Sequence, residues 1–434
     1  MRKRTTLALL LWFFLQTPPS SASAADVFLE TSRFGFKKIT IVILPLERIS
    51  GHEEEASILE NVLLADLDRS HYFKAVKASN FSFLQEQEKE PGLSTMAKAA
   101  KAGIQTLVQS KLKTGKEEWV LESTAYDTVK KEETIKFKIF GGERLIRKMA
   151  HRLSDKLTMH FTGEKGIAQT KIAYVSDLSG TKEIYVMDYD GANKKKVTSD
   201  RSIVVSPQWS FDGASIAYTS YKNGNPNIFL LDVKTWSKKE IISFPALNFS
   251  AKWSPHEKKI AFATTKDGNS EIYISNSEGK ELKRLTFNAG DDFSPDWSPT
   301  GKQLAFTSDR GGNPQIYIMN RDGTNVSRLT FEGNYNTSPV WSPKGDWIAY
   351  TCRNKEKRFK ICADRADGQE TIAITRGGPW NDESPSWALN GRELTFSSNR
   401  ANKNQIFSIH LDGTNLRPLT TDLANNTSPS WSKK

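Results

Sequence analysis

A catalytic or metal centre needs its donors at set spacings, and this chain offers few. Its six histidines (His52, His71, His151, His160, His256 and His410) show no HxH or HExxH spacing. Its two cysteines, Cys352 and Cys362, are too few for a four-cysteine zinc site or an iron–sulfur cluster. No metal and no cofactor is expected. The GxSxG elbow, the GxxxxGK[ST] phosphate loop and the GxGxxG turn are all missing. Adjacent carboxylates occur at Asp291-Asp292 and Asp382-Glu383. Glycoside hydrolysis sets two carboxyls across one pocket, but such residues equally suit turn capping, where Asp or Asn bonds the backbone two residues on. A sharper signal is a column: Val204, Asn248, Asp292, Asn336, Asp382 and Asn426 each stand five residues before a tryptophan. Five of these six are Asp or Asn. The chemistry this predicts is recognition, a polar rim where a partner loop or a cation docks, rather than bond-making.

The elements that position this column come from a repeat. Trp209, Trp253, Trp297, Trp341, Trp387 and Trp431 are spaced by 44, 44, 44, 46 and 44 residues. Five of them follow Ser-Pro, as in Ser294-Pro295 and Ser428-Pro429; Ser250-Ala251 is the exception. Apolar runs such as Ile172-Ala173-Tyr174 and Ile184-Tyr185 recur at the same period, with Asp-Gly turns such as Asp322-Gly323 after them. Four short strands in about 44 residues is the period of one β-propeller blade. The first unit opens at Ile172 without its Trp segment, and the last Trp segment ends at Ser432 with no strands after it. Six whole blades result only if the C-terminal segment supplies the missing inner strand of blade one, which also removes two free sheet edges. The long connections, such as 287–293 and 309–314, must share one face of the disc, and the Asp/Asn column enters the innermost strands there. A tryptophan in every blade reads as packing between twisted sheets. Cys352 and Cys362 flank one hairpin without directly opposing each other. That parity favours thiols over a disulfide, which needs Cα atoms within about 7 Å, and leaves both open.

Residues 26–163 lack the repeat and read as a small α/β domain. Lys38 to Leu44 is a buried strand, Glu53 to Ser70 a helix, and 96–101 a short helix. Strands follow over 104–112, 119–126 and 134–140, then a helix over 143–161 with Leu145, Met149, Leu153 and Leu157 one turn apart. The propeller takes 164–434, with a linker over 163–170. Residues 1–25 carry a basic start (Arg2, Lys3, Arg4), a nine-residue apolar run over 7–15 and a small-residue site at 22–24. Nine apolar residues are too few to span a bilayer and fit a secretory signal peptide. The mature chain is then exported, with no direct membrane insertion. The net charge is +11, but the lysines are spread without a basic–aromatic array, so no nucleic-acid partner is expected.

Three segments resemble a known family. They are Asp66-Leu67-Asp68-Arg69-Ser70, the junction Phe161-Thr162-Gly163-Glu164-Lys165-Gly166 leading to Lys171-Ile172-Ala173-Tyr174-Val175, and blades of the form Ser-Pro-x-Trp-Ser-Pro. Together with an α/β domain ahead of a six-blade ring, they resemble the TolB family of the periplasmic Tol–Pal system. The resemblance implies a non-catalytic, monomeric adaptor in the periplasm serving outer-membrane integrity and invagination during cell division. It implies a TolA-like inner-membrane partner for the mature N-terminus, here Asp26, Val27, Phe28, Leu29 and Glu30. It implies a Pal-like peptidoglycan-associated lipoprotein for the propeller loop face, here including Asn248, Asp292, Asn336, Asp382 and Asn426. Two other readings stay open. A propeller that binds cell-wall carbohydrate would use exposed aromatics such as Phe249, Phe293 and Tyr335, and a lyase or hydrolase accessory would need a histidine or metal cluster at the tunnel mouth.

Overall fold

The structure, a computed structural model, describes residues 38–46, 51–84, 91–116 and 118–433. Residues 1–25, expected to be a signal peptide, and Asp26, Val27, Phe28, Leu29 and Glu30 lie outside the described residues. The N-terminal region is a mixed five-stranded sheet, β1 (Ile39–Ile43), β2 (Phe73–Lys77), β3 (Thr106–Lys113), β4 (Trp119–Asp127) and β5 (Glu132–Gly141), in the order β2-β1-β3-β4-β5. Strand β1 pairs in parallel with β2 and β3, and the rest of the sheet is antiparallel. Helix α1 (Glu53–Arg69) buries Leu59, Val62, Leu63 and Leu67. Its first turn holds Glu53, Glu54 and Glu55, which complement the positive end of the helix dipole. Helix α2 is Leu93–Lys101. Helix α3 (Ile146–Thr162) packs against α1, buries Met149, Leu153 and Leu157, and ends at Gly163 with φ 69°. Leu145 is not part of that stripe: it lies in the short turn ahead of α3 and is exposed.

Residues 171–432 form six four-stranded antiparallel sheets. The innermost strands are Val204–Trp209, Asn248–Trp253, Asp292–Trp297, Asn336–Trp341, Asp382–Trp387 and Asn426–Trp431. The last of these is the inner strand of blade one. Asn426 pairs with Ser176 and Trp431 with Ile172, so the C-terminal segment closes the ring as the repeat arithmetic requires. Trp431 also donates from Nε1 to Thr170 Oγ1 (2.7 Å), and Lys171 N donates to Ser432 Oγ (2.9 Å). Five of the six column tryptophans are buried and Trp253 is half-buried. The outermost strands are short, four of them with two residues and no sheet beyond, which limits the edge available for mispairing.

Candidate functional site

The two faces of the disc are set apart by what covers them. The turns between first and second strands, and between third and fourth, meet the N-terminal region. Arg392 Nε donates to Tyr72 Oη (2.7 Å), Lys344 pairs with Glu164 (2.6 Å), Arg417 with Asp68 (3.0 Å) and Arg147 with Asp190 (2.6 Å). At the centre of this contact Asp66 is buried and accepts hydrogen bonds from Tyr189 Oη (2.5 Å), with His151 Nδ1 at 2.7 Å. Burial pushes the Asp66 carboxyl up, against the pull of His151 and Tyr189. The rings of His71 and His410 meet edge to face at 4.4 Å. Glu393, opposite His410 in its hairpin, is buried, and burial raises its carboxyl to about 7.

The other two sets of loops, between second and third strands and between successive blades, form the opposite face, left uncovered by the described residues. Here the column residues sit at the first position of each inner strand, but all five are buried. The expectation of an exposed polar rim is corrected on that point. Asn248 Nδ2 donates to the carbonyls of Phe244 (2.9 Å) and Ala246 (3.1 Å), and Thr264 Oγ1 donates to Asn248 Oδ1 (2.9 Å). Asp292 accepts from Asn288 (2.7 Å) and Arg310 (2.8 Å), and Asp382 from Arg400 (2.7 Å). Asn336 donates to Gln315 (2.8 Å) and to the Glu332 carbonyl (2.9 Å). Asn426 donates to Gln405 (3.0 Å) and to Asp422 (2.7 Å). Four of the five thus bond to the residue four positions earlier, and three, Asn248, Asn336 and Asn426, reach the third strand of the preceding blade. Buried polar groups that are hydrogen-bonded rigidify what they join, so the column ties the inter-blade loops down and couples neighbouring blades, with Asp292 Oδ1, Asp382 Oδ2 and Asn426 Oδ1 left without a hydrogen-bond partner among the described residues. Val204, which cannot do this, faces a substitute: Glu183 accepts from Thr198 Oγ1 and from the amides of Asp200 (3.1 Å) and Arg201 (2.9 Å).

Below the rim the tunnel is lined by the serines of the Ser-Pro column. Ser206, Ser250, Ser294, Ser338, Ser384 and Ser428 all adopt left-handed backbone, with φ from 50° to 58°. In all six inner strands the register shifts across this serine, as between Phe293 and Asp296. Each is a bulge on an inner strand whose tunnel side has no pairing partner, so the proline that follows five of the six serines costs no ladder bond. They enclose a cavity of about 80 Å³. Among the described residues no group of three or more His, Cys, Asp or Glu is placed to hold a metal ion.

Among what the uncovered face presents are large apolar side chains. Phe287 is 73% exposed, Phe331 74% and Leu423 90%, and Ile203 and Leu247 are half-exposed. Phe287 and Phe331 repeat from blade to blade, each beneath a guanidinium, Arg284 (4.7 Å) and Arg328 (5.1 Å). Sequence reasoning missed these residues; their shared Arg-Leu-Thr-Phe spelling at 284–287 and 328–331 was the available signal. The candidate aromatics Phe249, Phe293 and Tyr335 are half-buried, Tyr335 against Phe359 at 5.5 Å.

Comparison with known proteins agrees with this architecture. The family model described as the TolB beta propeller domain matches residues 159–434, and that of the TolB amino-terminal domain matches 29–134. The Tol-Pal system protein TolB of Syntrophotalea carbinolica is 33% identical over 199 residues, 44% of this chain and 46% of its own length. That of Geobacter sulfurreducens is 35% identical over 215 residues, 48% of each chain. The chain thus spans about half the length of the curated relatives it matches. The crystal structure of TolB from Acinetobacter baumannii aligns over 92% of this chain and 97% of its own, with a TM-score of 0.81 and 27% identity. With a closed six-blade ring, an α/β region on one face and both family models matched in order, the chain belongs to the TolB family.

Proposed function

We propose that this chain is a non-catalytic periplasmic adaptor of the Tol–Pal system. Its uncovered propeller face docks a Pal-like, peptidoglycan-associated lipoprotein. Residues 26–30 (Asp26, Val27, Phe28, Leu29, Glu30) engage a TolA-like inner-membrane protein as an added strand. In this role it serves outer-membrane integrity and invagination at division. The observation that carries the reading is the contrast between faces: one is filled by the N-terminal region, while the other exposes apolar side chains on loops held rigid from beneath. Exposed apolar residues clustered on one surface mark interaction sites. Asn248, Asp292, Asn336, Asp382 and Asn426 contribute by positioning those loops.

The test is titration calorimetry with the soluble domain of the peptidoglycan-associated lipoprotein from the same genome. Phe287→Ser with Phe331→Ser should weaken binding at least tenfold while melting is unchanged; equal affinity rejects the docking face. A variant lacking residues 26–30 tests coupling, since a change in one affinity requires the reciprocal change in the other. Retention of the chain on peptidoglycan alone, with no protein bound, would favour the carbohydrate reading instead.

A further inference from the structure

Blade five departs from the others twice, in one place. In the other five blades the second and third strands carry a directly opposed aromatic pair: Tyr174–Tyr185, Tyr218–Phe229, Phe262–Tyr273, Phe306–Tyr317 and Phe396–Phe407. Their ring centroids lie 5.6 to 6.1 Å apart. In blade five Tyr350 opposes Cys362, and Cys362 is bonded to Cys352, its diagonal neighbour, with Cα atoms 5.8 Å apart. A disulfide therefore replaces half of an aromatic pair. It closes a covalent ring around the hairpin loop that these two strands send to the uncovered face.

The residues inside that ring are Arg353, Asn354, Lys355, Glu356, Lys357, Arg358, Phe359, Lys360 and Ile361, five cations against one acid. The corresponding loops of the other blades hold no more than two cations each. Lys360 is buried; it donates to the Trp380 carbonyl (2.8 Å) and lies 3.7 Å from Asp382, anchoring the loop's far arm. Lys355, Lys357 and Arg358 are exposed, and none of the three has an ion-pair partner among the described residues. The backbone between them is fixed: Arg358 N donates to Asn354 Oδ1 (2.8 Å) and Lys357 N to the Asn354 carbonyl (3.0 Å). Three uncompensated like charges on a short cross-linked loop repel one another and support no packing. Such an arrangement raises the local positive potential and speeds encounter with negative charge. A loop already held in shape loses less entropy on binding.

We propose that the disulfide-closed loop of blade five is a docking element for an acidic segment of the protein partner seated on the uncovered face. The inference rests on the lipoprotein-docking reading above and adds the chemistry of the contact. Lys355, Lys357 and Arg358 give charge-assisted hydrogen bonds to partner carboxylates, and the Cys352–Cys362 bond keeps them presented together. A protein rather than an anionic membrane fits, because the same face also exposes Asp267, Asp291 and Glu332. A uniformly negative sheet laid on that face would meet these acids, whereas a partner with patterned charge need not.

The experiment is stopped-flow association with the soluble lipoprotein domain over a range of salt. It compares the parent chain, the triple variant Lys355→Glu/Lys357→Glu/Arg358→Glu and the double variant Cys352→Ser/Cys362→Ser. The triple variant should lose roughly tenfold or more in association rate at low salt and show a flatter salt dependence. The double variant, with its charges intact, should associate at the parental rate and dissociate several-fold faster. If the double variant does not fold, the exposed-loop triple variant, checked by its melting curve, carries the test alone. An unchanged rate and salt slope in the triple variant overturns the proposal and leaves lipoprotein docking standing. An unchanged dissociation rate in a folded double variant removes the role of the disulfide. Tighter, equally charge-dependent binding of the parent to phosphatidylglycerol vesicles overturns the choice of a protein partner. No binding of the parent chain to the lipoprotein overturns both readings together.

Discussion

Removing the indole of Trp431 tests ring closure at its joint. Trp431 is 3% exposed, packs with Ile172, Tyr174 and Ala388, and lies on the strand that completes blade one from the far end of the chain. Trp431→Ala should cost about 3–5 kcal/mol in transfer and cavity terms, with roughly 1 kcal/mol more for the Thr170 hydroxyl left without its donor. Because this strand joins first and last blades, the loss should appear locally as opening of the seam. At about 1.4 kcal/mol per tenfold, amides of Lys171–Ser176 and Asn426–Trp431 should exchange with deuterium about three to four powers of ten faster. Exchange in the blade of Asp292–Trp297, across the disc, should stay near its parental rate. Trp253 is an internal control: it is half-buried and its Nε1 has no hydrogen bond, so Trp253→Ala should cost about half as much. Equal costs for the two variants, or unaltered exchange over Lys171–Ser176 in Trp431→Ala, would refute closure as the source of the seam's stability.

Three further outcomes follow from the contact with the N-terminal region and from blade five. Asp66→Ala strands the Tyr189 hydroxyl and His151 in a buried site and should cost about 3–5 kcal/mol, while Tyr189→Phe costs about 1–2 kcal/mol; urea unfolding of the two variants checks the order. Burial lowers the His410 imidazole to about 4, with the charge of His71 adding to it. Between pH 4 and 6.5 the unfolded chain therefore binds the extra proton at His410, and stability rises with pH. Glu393, at about 7, has the opposite sign: the folded chain holds its proton between pH 4.5 and 7, so this group lowers stability as pH rises. Glu393→Gln should then stabilise the chain by up to about 3 kcal/mol at pH 8 and little at pH 4, read from unfolding midpoints at both pH values. Cys352→Ser with Cys362→Ser opens a ring of sequence separation 10 and should lower stability by about 2–3 kcal/mol on loop entropy, seen as a lower midpoint in denaturant.

The propeller was legible because its signal is local and repeated. Trp spacing, Ser-Pro and Asp-Gly recur in phase, and the phase error at the two ends required the closure seen at Trp431. Strand β2 has no clear signal in the sequence because Phe73–Lys77 is five residues long with one fully buried apolar side chain, and it follows α1 after a three-residue turn. Its strand character comes from parallel pairing with β1, a contact that no local pattern encodes. The Asp/Asn column was visible, but its burial was not. A short polar residue entering a strand from a loop looks the same whether it faces water or bonds to a carbonyl four residues back, as Asn248 and Asn336 do. The contact among Asp66, His151 and Tyr189 joins residues 85 and 123 positions apart, and spacing arguments do not reach that far. Parity sets the cysteines out of direct opposition, which holds in the register, yet the diagonal across the ladder brings them within bonding reach.

The most direct measurement of the central claim is a deuterium-exchange footprint of the chain bound to its lipoprotein partner. The account predicts protection confined to the uncovered face: loops 287–291, 331–335 and 421–425, and the blade-five loop over 353–359. Turns 342–346, 388–392 and 410–414, on the side of the N-terminal region, should exchange as they do in the free chain. Protection of those turns, with the loops carrying Phe287 and Phe331 unchanged, would contradict the claim that this propeller recognises its partner through the face opposite the α/β region.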